Sequence, residues 1–136
     1  MNNNLQTFVT EFLAGTWQNP FSKTERVFFQ VAAFTIKIVG EEIYLARIRT
    51  LERGKGYGSL ALDWLVDLAD KHGITLIGWI EPFGPWKRLS VAQLQRWYER
   101  HSFEVRGREI WRKPINELAH GRELEPVEID WDGIPF

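Results

Sequence analysis

The stretch LERGKGYGSLAL, residues 51–62, places three glycines within five positions, between two different apolar patterns. The residues before it alternate as in a β-strand, and those after it repeat at helical spacing. Glycine permits positive φ angles and close backbone approach, and the first turn of a helix carries unpaired N–H groups. The loop therefore predicts either a tight strand-to-helix turn or a site for a phosphate, and Arg53 and Lys55 favour the phosphate.

The two most familiar phosphate-binding motifs do not account for this loop. The sequence contains no G-x-x-x-x-G-K-[ST] motif, and the dinucleotide fingerprint G-x-G-x-x-G fails at its last position, where Ser59 stands. The glycine spacing alone thus leaves both interpretations open.

The segments upstream and just downstream of the loop alternate between helical and strand patterns. Apolar periodicity predicts a helix over 5–13 and β-structure over 27–39 and 43–51, with a reversal at Gly40. The loop is followed by an amphipathic helix, which Gly73 is placed to end.

The remaining segments complete a mixed sheet. The continuous apolar run 74–80 predicts a central, partly parallel strand that is covered on both faces. Ser90 and Gln93 form a capping box that predicts another helix start, and a final hairpin turns at Gly107-Arg108. This order predicts an α/β (α+β) fold, with a mostly antiparallel central sheet and helices on both faces.

Composition is that of a single globular domain. The chain has 136 residues, of which 44% are hydrophobic, and no cysteine, which excludes disulfides and thiolate metal sites. The N-terminal residues lack the pattern of a signal peptide, and no apolar run is long enough to span a membrane, so a cytoplasmic location is expected. His72, His101 and His120 show no metal-ligand spacing, and no metal site is predicted.

Charge is unevenly distributed along the chain, although the formal net charge is only −1. Residues 83–113 carry 8 Lys/Arg against 3 Asp/Glu, and residues 117–136 carry 6 Asp/Glu against 1 Arg. We therefore divide the chain into a domain over 1–114 and an acidic, aromatic tail over 115–136. The tail is expected to contact either its own domain or a protein partner, and the near-zero net charge argues against nucleic acid.

Two motifs in a fixed order give the glycine loop a more specific interpretation. The segment RGKGYG, Arg53–Gly58, resembles the [RQ]-x-x-G-x-[GA] signature of the GNAT superfamily of acyl-CoA N-acyltransferases. The segment WYERHSF, 97–103, is similar to the family's [LF]YEKLGF segment. The resemblance covers about residues 27–113, as in a short member with a reduced N-terminal section. Val91 and Ser102 stand where many members carry asparagine and glycine.

The resemblance implies an enzyme that moves an acetyl group from acetyl-CoA to an amine, on a small molecule or a protein. The loop amides would hold the CoA pyrophosphate, and the end of the preceding strand would pair with the pantetheine arm. The thioester would lie in a gap between that strand and 74–80. The cofactor-binding residues implied in this way are Leu51, Arg53, Gly54, Lys55, Gly56, Tyr57, Gly58 and Ser59.

The resemblance also implies one catalytic residue, and position suggests another. Tyr98 aligns with the tyrosine that protonates the leaving thiolate in many members of the family. No motif identifies the general base, for which Glu81 is the first candidate by position and Glu52 the second; either could be an ordinary rim residue. The alternative function is that of an inactive relative that binds a protein partner.

Overall fold

The computed structural model describes residues 3–51, 56–81 and 89–115. Within these residues seven strands form one sheet, and three helices pack on it, which confirms the predicted mixed and mostly antiparallel fold. In chain order the elements are α1 (Asn3–Ala14), β1 (Trp17–Gln18), β2 (Arg26–Phe28), β3 (Ala32–Val39), β4 (Glu42–Thr50), α2 (Tyr57–His72), β5 (Leu76–Trp79), α3 (Val91–Arg100), β6 (Glu104–Arg106) and β7 (Glu109–Arg112).

The strand order is β1-β2-β3-β4-β5-β7-β6. Among the strands of the described residues, only β4 and β5 are parallel neighbours, and the other neighbouring pairs are antiparallel. β7 is inserted between β5 and β6, so β5 has neighbours on both sides. The prediction of a central, partly parallel strand is thereby confirmed.

Local capping chemistry fixes two helix ends where the sequence predicted them. The Ser90 hydroxyl accepts from the Gln93 backbone N–H, and the Gln93 side chain accepts from the Ser90 N–H, which completes a capping box. Gly73 ends α2 at a φ of 67°. Both ends depend on residues within one turn of each other, and such signals are readable in a sequence.

The β-rich stretch 27–39 contains a turn that the sequence did not predict. Phe29 and Gln30 have φ angles of 45° and 63° and join β2 to β3, with the Val31 N–H donating to the Phe28 carbonyl at 3.0 Å. Two-residue turns of this kind usually use glycine, asparagine or aspartate. Because neither position carries such a residue, alternation alone suggested one continuous strand.

The three described helices pack on one face of the sheet, where the sequence predicted helices on both faces. The strand registers place Phe34 and Arg112 on the same face. Phe34 contacts Phe12 of α1 and Trp64 of α2, with ring centroids 5.8 and 6.0 Å apart. Arg112 Nε donates to the carbonyl of His101, which caps α3. The apolar core therefore lies between the sheet and these helices.

The opposite face, here called the helix-free face, is not covered by a helix within the described residues. Its central side chains alternate with the buried ones and are Thr35, Lys37, Tyr44, Ile77, Trp79 and Trp111. In β5, Leu76 and Gly78 are buried whereas Trp79 is 46% exposed. The apolar run 74–80 therefore has one covered face in the described structure, not the two expected from its continuity. Among the described residues, no helix has the length and apolar character needed to cross a membrane.

Candidate functional site

β4 and β5 run side by side for only three residue pairs and then diverge. The pairing begins at Ile43 and Leu76 and ends at Leu45 and Gly78. β4 continues to Thr50 against β3, while the end of β5 stays with β7. A gap therefore opens between the carboxyl ends of the two parallel strands, as the family resemblance led us to expect.

A β-bulge lies at the point where the strands diverge. Arg47 of β4 pairs with Thr35 of β3, and Leu45 pairs with Ile36, so Ala46 has no partner on β3. An extra residue in one strand bends that strand and increases its local twist. We attribute the separation of β4 from β5 to this bend, which comes directly after their last pair.

The end of β4 presents backbone groups to the gap. The Leu51 N–H donates to the Val31 carbonyl at 2.9 Å, in the direction of β3. Successive residues of a strand direct their backbone groups to alternate sides, so those of Ile48 and Thr50 point away from β3 and toward the gap. An extended ligand that contains amides could pair with them, whereas the Leu51 N–H is already bonded.

The first turn of α2 presents backbone amides that no side chain caps. Gly56 precedes the helix at φ 74° and ψ 12° and gives it no side-chain cap. The first intrahelical bond is donated by the Leu60 N–H to the Gly56 carbonyl. The N–H groups of Tyr57, Gly58 and Ser59 come before that bond, at the positive end of the helix dipole. Six residues, 51–56, separate these amides from the end of β4.

Several predicted site residues fall outside the described residues. They are Arg53, Gly54 and Lys55 of the cofactor loop, and Glu52, the second candidate for the general base. Leu51 is described and is 41% exposed at the end of β4.

Ser59 makes a contact that the sequence did not predict. Its side chain is buried, and its hydroxyl accepts a hydrogen bond of 2.8 Å from the Trp97 indole N–H. The two residues are 38 positions apart, and no local pattern links them. The hydroxyl is thus engaged with α3, and the predicted role of Ser59 in holding a phosphate concerns its backbone N–H.

Tyr98 is a buried tyrosine on the side of α3 that faces the core. Its ring lies 4.9 Å from that of Trp97 and 5.2 Å from that of Phe103, between centroids. Its hydroxyl has no hydrogen-bond partner within the described part of the chain, and burial raises the pKa of Tyr98 above its ordinary value. The phenol therefore keeps its proton at ordinary pH and is available as a donor to a ligand.

Glu81, the first candidate for the general base, lies just after β5 and is exposed. Its place in the chain, two residues after Trp79, puts it beside the carboxyl end of β5, where the gap opens. No hydrogen bond joins it to another described residue, so its assignment as the base stays a prediction.

The end of β4 is braced by an ion pair that the sequence did not predict. Arg49 Nε and Nη2 donate to the two carboxylate oxygens of Glu25 at 2.6 and 2.8 Å, and Asn19 donates to the same carboxylate. The Arg49 guanidinium holds the pKa of Glu25 below its usual value, although burial opposes the shift. The pair ties β4 to the segment before β2 and keeps Glu25 ionised.

Each described histidine lies within hydrogen-bond distance of one carboxylate. His101 Nδ1 lies 2.8 Å from Asp63, and His72 Nε2 lies 2.6 Å from Glu11. In residues 3–51, 56–81 and 89–115, no group of three or more His, Asp or Glu residues could hold a metal ion.

Comparison with known proteins yields a likeness of fold. No family model matches the chain, and no curated protein matches it. A solved structure, "Crystal structure of Anti-CRISPR protein AcrVA5", superposes with a TM-score of 0.53 and 20% sequence identity. The match covers 62% of this chain and 93% of that chain. At this identity the likeness concerns the arrangement of helices and strands.

Proposed function

We propose that this chain is an N-acyltransferase that moves an acetyl group from acetyl-CoA to an amine acceptor. The observation that carries the proposal is the divergence of β4 and β5 after Leu45 and Gly78, close in sequence to the uncapped first turn of α2. The resemblance of RGKGYG and WYERHSF to GNAT motifs supports it independently of that geometry.

The two halves of the site match the two ends of coenzyme A. The pantetheine arm contains amides, which would pair, as another strand does, with the backbone groups of Ile48 and Thr50 that point away from β3. The pyrophosphate would lie against the N–H groups of the first turn of α2, after the glycine loop. Both halves come from one short stretch of chain, residues 48–59, which suits a single extended ligand.

The proposed reaction exchanges the C–S bond of the thioester for a C–N bond, and an N–H bond for an S–H bond. The neutral acceptor nitrogen attacks the thioester carbonyl and the C–N bond forms. The nitrogen then gives up a proton, the C–S bond breaks, and the CoA thiolate leaves and takes a proton from the general acid. The attacking ammonium first loses a proton to a base, for which Glu81 is the candidate. A backbone N–H at the gap would stabilise the developing oxyanion.

Tyr98 has the properties of a donor to the leaving thiolate. Its burial raises its pKa, so the phenol carries a proton that it can donate. Its hydroxyl has no partner among the described residues, so a bound sulfur would not have to displace a hydrogen bond to any of them. We assign it the role of general acid or hydrogen-bond donor to the thiolate.

A second candidate function is protein binding without catalysis. It is supported by the helix-free face, where Trp79 is 46% exposed in the middle of the sheet. A fold shared with an anti-CRISPR protein is compatible with either function. The acidic tail, which we expected to contact a partner or its own domain, lies outside the described residues.

The first experiment is a thermal melt with and without acetyl-CoA for the wild type and Gly56→Glu. At about a hundred times its dissociation constant, the ligand should add ~2.7 kcal/mol and raise Tm by several degrees. The glutamate should abolish the shift because it places a negative charge where the pyrophosphate would bind.

Gly40→Glu is the matched control for this experiment. Gly40 has a φ of 65°, similar to that of Gly56, and lies in the β3–β4 turn with open space around it. This variant carries the same charge and backbone strain at the other end of β4, and it should keep the full shift. Absence of a shift in the wild type would reject the transferase proposal. If the Tm shift persists in Gly56→Glu, the cofactor does not bind at the first turn of α2.

A further inference from the structure

Two side-chain contacts, one helical turn apart, join α2 to α3. The Trp97 indole N–H donates to Ser59 Oγ at 2.8 Å, and His101 Nδ1 lies 2.8 Å from Asp63. Ser59 and Asp63 are four residues apart on α2, and Trp97 and His101 are four apart on and just after α3. Residues at this spacing share one face of a helix. The two contacts therefore fix how α3 is rotated about its own axis against α2.

The first of these contacts joins the first turn of α2, proposed to hold the pyrophosphate, to the helix that carries Tyr98. Ser59 is the third residue of α2, and its backbone N–H belongs to the amides proposed to hold the pyrophosphate. Trp97 is the residue before Tyr98, and the two rings are 4.9 Å apart. Both partners are almost inaccessible, at 1% and 4% exposure, so solvent cannot easily replace the bond.

We infer that Ser59 and Trp97 are positioning residues, which hold the phenol of Tyr98 in place relative to the cofactor site through their hydrogen bond. The inference rests on the proposed function, because it concerns the placement of the proposed acid. It assigns the Ser59 side chain a task separate from that of its backbone N–H. Loss of the hydroxyl should therefore disturb Tyr98 and leave the amides of α2 in place.

The test uses Ser59→Ala, with Ser59→Thr to restore the hydroxyl. In Ser59→Ala, we expect kcat to fall at least tenfold, while the dissociation constant of CoA, measured by calorimetry, changes less than threefold. Ser59→Thr should recover most of kcat. In a Trp97→Phe background, Ser59→Ala should lower kcat by less than twofold, because the bond is already absent.

Trp111→Phe provides a matched control. The Trp111 indole N–H also donates to a side chain, Glu104, at 2.9 Å, but on the helix-free face. Trp111→Phe removes an indole hydrogen bond that lies away from α2. This variant should keep kcat and the CoA dissociation constant within twofold of the wild-type values.

A second readout does not depend on activity. Tyrosine labelled with ¹³C at Cζ gives a separate NMR signal for each of the three tyrosines, and the Cζ shift reports ionisation. In Ser59→Ala, Tyr98 should ionise at a lower pH than in the wild type, because a loosened α3 admits water. Trp111→Phe should leave the ionisation of Tyr98 unchanged.

The outcomes separate this inference from the proposed function. A wild type that neither binds CoA nor transfers acetyl groups rejects the proposed function, and the NMR titration then decides whether the bond positions Tyr98. An unchanged Tyr98 titration in Ser59→Ala overturns the positioning role. The role is also overturned if the active wild type and Ser59→Ala share the same kcat, or if kcat and the CoA dissociation constant worsen together by the same factor.

Discussion

Leu45 and Gly78 form the last pair of β4 and β5 before these strands diverge, and only glycine fits at position 78. A Cβ atom on Gly78 would lie 2.9 Å from the Leu45 carbonyl oxygen and 3.2 Å from Ile110 Cδ1. The Leu45 oxygen belongs to the backbone, so it cannot move aside by a change of rotamer as a side-chain atom can. The last pair of β4 and β5 therefore depends on the absence of a side chain on β5.

Gly78→Ala should destabilise the protein by about 1–3 kcal/mol, since a methyl group inserted into a packed site forces a backbone shift. An alanine in an unstrained strand would instead stabilise slightly relative to glycine. Urea unfolding followed by circular dichroism measures the change. A variant as stable as the wild type would contradict the close packing described here.

Tyr98→Phe should separate catalysis from stability. We expect kcat to fall by about 10²–10⁴, the range for a lost general acid, with CoA binding retained. Stability should stay level or rise, because the hydroxyl removed is buried and has no partner among the described residues. Steady-state kinetics and thermal melts, with Tyr44→Phe as the control, test both parts. If Tyr98→Phe has the same kcat as the wild type, Tyr98 is not the general acid.

Glu25 should make stability depend on acid pH. Its pKa is lowered in the folded state, chiefly by the hydrogen bonds from Arg49, so it binds a proton less readily than in the unfolded chain. The stabilisation is present above the unfolded value, about 4.3, and is lost as pH falls through the lower folded value.

Glu25→Gln should consequently be less stable than the wild type at pH 6, with a difference that shrinks toward pH 3. Urea midpoints across this range measure it, and Glu42→Gln, at the exposed start of β4, serves as the control. A difference that does not vary with pH would show that the carboxylate charge contributes nothing.

Arg112→Met should be among the more destabilising changes outside the site. Arg112 is 3% exposed and donates two hydrogen bonds to Asp70, at 2.6 and 3.0 Å, besides one to the His101 carbonyl. Removing one partner of a buried ion pair costs about 3–5 kcal/mol, since the other charge is left uncompensated.

The double variant Arg112→Met/Asp70→Leu should recover part of that loss because it removes both charges. Chemical denaturation of Arg112→Met, Asp70→Leu and the double variant gives the comparison. If the double variant is as unstable as the sum of the single ones, the pair does not act as a unit.

Features that depend on a few consecutive residues could be predicted from the sequence. Gly73 ends α2 and Ser90 begins α3 because one residue supplies the needed conformation or cap. The Phe29-Gln30 turn and the Ala46 bulge could not be predicted in this way. Their conformations are imposed by the neighbouring strands, against the preference of the residues themselves.

In the candidate site, too, the features set by consecutive residues were predictable and the long-range contacts were not. Sequence motifs predicted the glycine loop, the gap and Tyr98, and the structure describes the gap and the first turn of α2 where they were expected. The Arg49–Glu25 and Trp97–Ser59 contacts span 24 and 38 residues. Because each joins separate elements, only the folded chain brings the partners together.

The insertion of β7 between β5 and β6 also sets the order in which the sheet can be completed. During synthesis, β5 leaves the ribosome before β7, so any pairing with β4 at that stage leaves its other edge open. That edge stays available to other chains until residues 109–112 emerge and β7 pairs with it. The last described strand in the chain therefore fills a place inside the sheet, and the edge of β5 that it covers stays unpaired until it has been made.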